Sequence, residues 1–250
     1  ARALDEGRVH LVYQPLVGLA DGGVVGVEAE VRLRHPERGL LGPEQFQEAV
    51  ADSQLMAQLA DWTLTEACRQ AAAWRAEGLA PGRVVVPAVA AQLTRTDMTA
   101  AVERALADSG LPPEALELDL PEAAVGALGD RLAGILPGVE DLGVRWVLAD
   151  FGSSTCSLGV LRQLPLAGLK MAPRFVRTAP QDLGDRRVVE AVVALGGNLG
   201  LSVSAKGVEA ADQLAVVRAA GCAEAQGDHL HPFLAADEVA ALLRHAPPAG

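Results

Sequence analysis

The chain has 250 residues, a hydrophobic content of 50% and a formal net charge of −11 at pH 7. This length is sufficient for one domain with a full-sized core, and single-domain α/β barrels of this size are common. The negative charge and the small number of aromatic residues (four Phe, three Trp and one Tyr) argue against a protein that coats nucleic acid. Any anionic ligand would have to be bound by a local group of cations.

Short apolar or β-branched runs alternate along the chain with longer segments of helical period, a pattern typical of βα units around a parallel sheet. The predicted strands are residues 9–13, 24–33, 84–89, 116–120, 144–148, 168–171 and 201–204, with a weaker eighth at 223–226. The predicted helices are residues 43–51, 53–77, 96–109, 123–136, 186–199, 210–220 and 235–244, followed by a frayed tail at 245–250. These elements predict a TIM-like (β/α)8 barrel, in which functional residues lie at the carboxyl ends of the strands.

The cysteines and the beginning of the chain bear on the cellular compartment. Cys68, Cys156 and Cys222 are far apart and form no CxxC pair, which indicates neither a disulfide framework nor a zinc ribbon and favours a reducing, cytoplasmic compartment. The sequence begins with neither an initiator Met nor a signal peptide. We therefore expect residues 1–250 to be a single domain that has been cut from a longer multidomain protein.

A series of short motifs lies in or beside the predicted strands, in order along the chain. The motifs are Tyr-Gln-Pro at 13–15, Glu-Ala-Glu-Val-Arg at 28–32, Leu-Glu-Leu-Asp-Leu-Pro-Glu at 116–122, Ala-Asp-Phe-Gly at 149–152, Leu-Pro at 164–165 with Leu-Lys at 169–170, Ala-Lys-Gly-Val-Glu at 205–209, and Gln-Gly at 226–227 followed by Pro232. Over about residues 9–234 the series resembles the bacterial EAL domain family. The resemblance implies a TIM-like barrel of the EAL type and, in active members, hydrolysis of one phosphodiester bond of cyclic-di-GMP.

The resemblance also implies a two-metal mechanism, in which Mg²⁺ or Mn²⁺ is held by carboxylates and an asparagine. Glu28 and Asp150 retain two of these ligands, and Asp119 is a shortened form of a third. The asparagine is replaced by Pro87, another aspartate by Ala149, and the first Glu of the AEGVE motif by Lys206. An ammonium group about 4 Å from a divalent ion opposes its binding by roughly 8 kcal/mol at an effective dielectric constant near 20. We therefore predict that no metal cofactor binds and that the chain is not an enzyme.

The charge changes leave room for a ligand that binds without metal. We expect the Lys206 ammonium group to lie at a former metal position, paired with Glu28, Asp119 or Asp150. Relative to the family pattern, Ala149 removes one negative charge and Lys206 changes the charge by two units, a total of three toward positive. This shift partly replaces the missing cations, so that metal-free binding of cyclic-di-GMP is electrostatically reasonable.

Arg32 corresponds to the arginine that binds a phosphate in the family. A guanidinium group suits this role because its planar fork donates two parallel hydrogen bonds. An ion pair with Glu30 or with a neighbouring strand is the alternative. The resemblance implies a ligand site formed by Gln14, Glu28, Arg32, Asp150, Lys170, Lys206, Glu209, Gln226 and Pro232.

Some of the retained residues have simpler explanations. The remnants of the catalytic site are Glu28, Asp119, Asp150, Lys170 and Glu209. A salt bridge between Lys170 and Glu209 would equally account for both residues. His229 and His231 have an HxH spacing that occurs in metal sites, but two solvated histidines are the favoured interpretation.

Two replacements argue against nucleotide binding: Leu33 stands in place of a Trp, and Asp228 in place of the Tyr of the QGY motif. Asp228 would repel a phosphate and cannot stack on guanine. The leading hypothesis is a catalytically inactive EAL-like regulatory domain, either a metal-independent cyclic-di-GMP receptor or a signalling interaction module. The alternatives are a protein scaffold that binds no nucleotide and a residual metal-dependent cyclic-di-GMP phosphodiesterase.

The expected partners follow from these hypotheses. They are cyclic-di-GMP, a protein partner or flanking signalling domain, and a second copy of the chain in a homodimer, but no nucleic acid. The expected location is the cytoplasm, with the cytoplasmic part of a membrane-bound signalling protein as one form of it.

Overall fold

The computed structural model describes residues 6–43, 45, 53–79, 81–95 and 97–245, with only the backbone of residue 130. At its centre eight strands form a closed barrel, which confirms the predicted TIM-like fold. The barrel strands are β1 (Val9–Gly18), β2 (Val24–His35), β4 (Arg83–Pro87), β5 (Leu116–Pro121), β6 (Arg145–Phe151), β7 (Gly168–Met171), β8 (Ser202–Lys206) and β9 (Glu224–Gln226), and β3 (Gly39–Leu41) extends the sheet beside β2.

The first strand of the barrel runs opposite to the other seven. β1 pairs antiparallel with both β2 and β9, whereas the remaining barrel strands pair in parallel. The prediction of an all-parallel sheet is therefore wrong for β1. The segment between β1 and β2 is too short for the crossover of about a dozen residues that a parallel pair requires. As a result, Gln14 of β1 lies opposite Glu28 of β2.

The helices surround the barrel. They are α1 (Ser53–Ala76), α2 (Ala90–Leu93), α3 (Met98–Ser109), α4 (Glu122–Leu128), α5 (Leu136–Glu140), α6 (Leu158–Leu161), α7 (Pro173–Thr178), α8 (Leu183–Leu199), α9 (Ala211–Ala220) and α10 (Ala236–His245). The helix predicted at 123–136 is wrong as one unit. α4 ends at Leu128, the next residue, Gly129, has a φ of +50°, and a 3₁₀ segment (Gly129–Gly134) precedes α5. Apart from residues 43 and 45, the helix predicted at 43–51 lies outside the described residues, as does the tail from 246 onward.

The apolar core lies between the barrel and its helices. Trp74 and Trp146 are each 1% exposed, and the Trp74 indole donates a hydrogen bond of 3.1 Å to the Ala236 carbonyl, which ties α10 to α1. Within the described residues, no helix is both long enough and apolar enough to cross a membrane. All three cysteines are free thiols.

The amino end of the barrel contains an ionic group of its own. Arg83 Nε lies 2.7 Å from the buried Glu117 carboxylate, and the same guanidinium pairs with Glu224. Side chains on one face of a strand recur every second residue, so Asp119 faces the barrel interior one layer above Glu117, nearer the carboxyl end. The barrel interior therefore contains two polar layers: Arg83, Glu117 and Glu224 at the amino end, and a second layer that includes Asp119 nearer the carboxyl end.

Candidate functional site

Four charged side chains meet at the carboxyl end of the barrel. Lys170 Nζ donates hydrogen bonds of 2.9 Å to Glu28 Oε2 and 2.5 Å to Asp119 Oδ2, and Lys206 Nζ donates one of 2.6 Å to Glu28 Oε1. Both carboxylate oxygens of Glu28 therefore accept a hydrogen bond from an ammonium group. We refer to Glu28, Asp119, Lys170 and Lys206 as the lysine-carboxylate cluster. Of the three carboxylates expected to pair with Lys206, the structure selects Glu28.

The position of each residue along its strand explains the depth of the cluster. Glu28, Asp119 and Lys170 lie within β2, β5 and β7, and each is at most 2% exposed. Lys206 is the last residue of β8, and its side chain is 29% exposed. The cluster is therefore closed by three buried groups below and opens to solvent at Lys206.

The pKa values in the cluster reflect burial and mutual charge. Burial raises the pKa of Asp119 to about 7; Lys170 opposes this shift, and Glu28 adds to it. Burial would also raise the pKa of Glu28, but Lys170 and Lys206 outweigh it and hold that pKa below its usual range. Burial acts to lower the pKa of both lysines, yet their carboxylate partners raise it above the usual value. At neutral pH two ammonium groups therefore face the ionised Glu28 and a partly protonated Asp119.

This arrangement predicts a pH-dependent contribution of Asp119 to stability. A carboxyl group with a higher pKa in the folded state binds its proton more readily when folded, so its contribution to the free energy of unfolding falls as pH rises from about 4 to about 7. The free energy of unfolding of the wild type should therefore fall relative to that of Asp119→Asn as pH rises over this interval, and the difference should be constant above it. Urea titrations at several pH values measure this difference, and a constant value within the interval would contradict the assignment.

A groove opens above the cluster, with a volume of about 730 Å³. Arg32 lies in it, forms an ion pair with Glu30, and holds its guanidinium carbon 4.9 Å from the centroid of the Phe233 ring. The predicted alternative for Arg32, an ion pair with Glu30, is thus present. The groove is lined by Glu28, Glu30, Arg32, Leu40, Gly42, Pro43, Gln45, Pro87, Asp150, Lys206 and Phe233.

Asp150 lies at the rim of this groove in an unusual turn. It is exposed and has a φ of +56°, a left-handed conformation that asparagine and aspartate tolerate better than most residues. The turn is held from below by the buried Glu122, whose Oε2 accepts hydrogen bonds from Gly152 N (3.0 Å) and Ser154 N (2.7 Å). Arg174 donates a hydrogen bond to the Gly152 carbonyl. The backbone of the turn that follows Asp150 is therefore held in place by Glu122 and Arg174.

Two glutamines form a second polar group beside the groove. Gln226 Nε2 donates to Gln14 Oε1 at 3.2 Å, and Gln14 Nε2 donates to Asp228 Oδ1 at 3.0 Å and to the His231 carbonyl at 3.2 Å. Asp228, which was expected to repel a phosphate, thus accepts a hydrogen bond from Gln14. Gln14 and Gln226 are both buried, and the hydrogen bond between them satisfies one polar atom of each side chain.

Glu209 and Pro232 are not part of the groove lining. The Glu209 side chain is 54% exposed and lies 3.8 Å from Arg177. Lys170 instead pairs with Glu28 and Asp119, so the predicted salt bridge between Lys170 and Glu209 is wrong. The cause is depth, because Lys170 points into the barrel from β7 whereas Glu209 follows the end of β8. Pro232 is exposed and directly precedes Phe233.

Phe233 and Gly42 are groove residues that sequence reasoning missed. One available signal was that Phe233 is one of only four phenylalanines and directly follows the Pro232 of the last motif. Gly42 gave no signal, because its contact with Arg32 depends on where β3 returns alongside β2.

Comparison with known proteins agrees with this geometry. A family model of the EAL domain matches residues 1–232. The cyclic di-GMP phosphodiesterase NbdA of Pseudomonas aeruginosa is 38% identical over 226 residues, which is 90% of this chain but 29% of that protein. The uncharacterized protein Mb1392c of Mycobacterium bovis is 35% identical over 240 residues, covering 94% of this chain and 78% of that protein. The chain thus spans less than a third of the length of NbdA.

A solved structure shares the whole fold. The PaMucR phosphodiesterase in complex with c-di-GMP matches with a TM-score of 0.91 and 34% identity, over 95% of this chain and 96% of that chain. The overall fold is thus shared with this solved phosphodiesterase. Since the family model matches residues 1–232 of the 250, the chain belongs to the EAL domain family.

Proposed function

We propose that this EAL domain does not hydrolyse cyclic-di-GMP and instead acts as a regulatory module that binds the dinucleotide without a metal ion. One observation carries the proposal: both carboxylate oxygens of Glu28 accept hydrogen bonds from lysine ammonium groups, Lys170 at 2.9 Å and Lys206 at 2.6 Å. Lys170 is a residue that the family retains, so the decisive change is Lys206, an ammonium group in place of a family carboxylate. Its positive charge at Glu28 Oε1 opposes the approach of a divalent cation.

The remaining donors do not fit a two-metal site either. Pro87 and Ala149 carry no side-chain oxygen at positions where the family has an amide and a carboxylate. Among the described residues, no group of three His, Cys, Asp or Glu side chains is placed to hold a metal ion. Asp150 retains its carboxylate at the rim, but the retained Glu28 is paired with two lysine ammonium groups. These features support the loss of metal-assisted hydrolysis.

The groove supports a role in binding an anion. Its volume of about 730 Å³ lies within the range of about 300–1,000 Å³ typical of small-molecule sites. Arg32 and Lys206 supply two positive charges to a lining that also contains the carboxylates of Glu28, Glu30 and Asp150. Glu28 is paired with Lys206 and Glu30 with Arg32, so a phosphate would have to share these two cations with the carboxylates. A lysine that replaces a metal ion would make binding insensitive to chelators. The solved PaMucR phosphodiesterase is a c-di-GMP complex, which supports the same ligand class for this chain.

A protein scaffold that binds no nucleotide is the second candidate. It is favoured by internal pairing: Arg32 is already paired with Glu30, and Asp228 already accepts a hydrogen bond from Gln14. In either case we propose that the domain works through a protein partner or a flanking signalling domain, since NbdA is much longer than this chain. A homodimer is one form that such a partner could take.

Calorimetry with cyclic-di-GMP distinguishes these functions. We expect binding with an affinity that changes less than about twofold when Mg²⁺ is replaced by EDTA, and we expect no linear product by chromatography. Arg32→Ala should weaken binding about tenfold or more, because hydrogen bonds to charged groups contribute about 1.5–3 kcal/mol each. Absence of heat would favour the scaffold. Heat that requires Mg²⁺ or Mn²⁺, together with linear product, would establish a residual phosphodiesterase and overturn the proposal.

A further inference from the structure

The guanidinium group of Arg32 is enclosed on three sides. Its carbon lies 4.9 Å from the centroid of the Phe233 ring, and it forms an ion pair with Glu30, which precedes it by two residues on the same face of β2. The third side is the backbone of Gly42, where a Cβ atom would come within 2.6 Å of Arg32 Nη1. Only glycine at position 42 leaves room for the guanidinium in this orientation.

Such enclosure reduces the cost of binding an anion. A free arginine side chain has about 2 kcal/mol of rotamer entropy, which a ligand must overcome when it orders the side chain. Here the aromatic ring and the backbone of Gly42 order Arg32 before any ligand arrives, while its ion pair with Glu30 must be shared with the ligand. The groove therefore presents a fixed planar donor toward the space shared with Lys206.

We propose that Gly42 and Phe233 are positioning residues that hold Arg32 in the orientation required to bind a phosphodiester group of the ligand. This inference rests on the nucleotide binding proposed above and adds the residues that determine its affinity. Neither residue is one of the motif positions on which the family resemblance rests. Gly42 acts by its small size and Phe233 by the face of its ring.

The Gly42→Ala variant tests the role of Gly42 with little risk to the fold. The added methyl group would meet the far end of a flexible side chain rather than backbone, and Gly42 is not among the glycines with positive φ. The matched control is Gly197→Ala in α8, where an added Cβ meets nothing within 4 Å. Both variants should unfold at temperatures close to that of the wild type.

The binding experiment uses cyclic-di-GMP in EDTA. We expect Gly42→Ala to weaken binding about tenfold, Phe233→Leu to weaken it about three- to fivefold, and Gly197→Ala to leave it unchanged. In an Arg32→Ala background neither Gly42→Ala nor Phe233→Leu should have a further effect, because both act through Arg32. Equal losses in the presence and absence of Arg32, or no loss in the wild-type background, would overturn the assignment.

A ligand-free measurement separates this inference from the proposed function. The NMR order parameter of the Arg32 Nε–H group should be high in the wild type and in Gly197→Ala, and low in Gly42→Ala and Phe233→Leu, with the exposed Arg75 as a mobile reference. An Arg32 as mobile as Arg75 in the wild type overturns the positioning role, whatever the calorimetry gives. An ordered Arg32 in a chain that gives no heat with cyclic-di-GMP supports the positioning and overturns the receptor function alone.

Discussion

The triple variant Pro87→Asn, Ala149→Asp, Lys206→Glu is expected to hydrolyse cyclic-di-GMP in the presence of Mg²⁺ or Mn²⁺, whereas the unchanged chain is not. The three substitutions restore an amide and two carboxylates at the positions where the family has them. They also remove the Lys206 ammonium group, which donates a hydrogen bond to Glu28 Oε1. Metal ions contribute several kcal/mol of transition-state stabilisation, and about 4 kcal/mol corresponds to a rate increase on the order of 10³-fold. Release of linear dinucleotide, followed by chromatography, measures this gain.

The three single variants are the controls. Each should remain inactive, because the ligands of a two-metal site act as a unit and one restored ligand leaves the others missing. Lys206→Glu alone adds a fourth carboxylate to Glu28, Asp119 and Asp150 without adding the amide. Adding Glu28→Ala to the triple variant should abolish its turnover. The prediction fails if the unchanged chain hydrolyses cyclic-di-GMP and loses that activity on Glu28→Ala.

Replacing the Glu28 carboxylate by an amide is expected to lower the free energy of unfolding by about 3–5 kcal/mol, since removal of one partner leaves buried charge uncompensated. Glu28 is the shared partner of Lys170 and Lys206, and Lys170 is only 1% exposed. Glu28→Gln leaves both ammonium groups facing Asp119, a carboxyl group with a pKa raised to about 7. For a chain of this size the melting temperature should fall by about 2–4 °C per kcal/mol.

Asp150→Asn is the matched control for this change. It makes the same replacement of a carboxylate by an amide at the exposed rim of the groove, and asparagine also tolerates the left-handed backbone there. Its effect should stay within about 0.5 kcal/mol. If Glu28→Gln destabilises the protein by no more than Asp150→Asn does, the cluster is not held together by Glu28.

Much of the barrel could be predicted from the sequence, because buried strands appear as short apolar runs at regular spacing. The bounds of β7 were predicted as observed, and those of β8 within two residues. The direction of β1 was missed, although Asp21-Gly22 before β2 is a typical hairpin turn and Gly22 has a φ of +78°. Apolar content identifies a strand but not its direction, which the connecting segment decides.

The candidate site, like the fold, was predicted from the sequence only in part. The motif positions showed which charges would be present, including the ammonium group of Lys206 in place of a carboxylate. They did not show that Lys170 would pair with Glu28 and Asp119 rather than with Glu209, because that depends on which residues face the barrel interior and how deep each lies.

The sequence by itself determined the family, the barrel and the identity of the charges at the carboxyl end of the strands. Only the tertiary structure decided that both carboxylate oxygens of Glu28 accept hydrogen bonds from lysines. It also decided that the Arg32 guanidinium packs against Phe233 and Gly42. The physical reason is that the order of the motifs is a property of the linear sequence. An ion pair or a ring contact instead forms between strands and loops that are distant in sequence and meet only when the barrel closes. Arg32 and Phe233 are far apart in sequence, and no local pattern relates them.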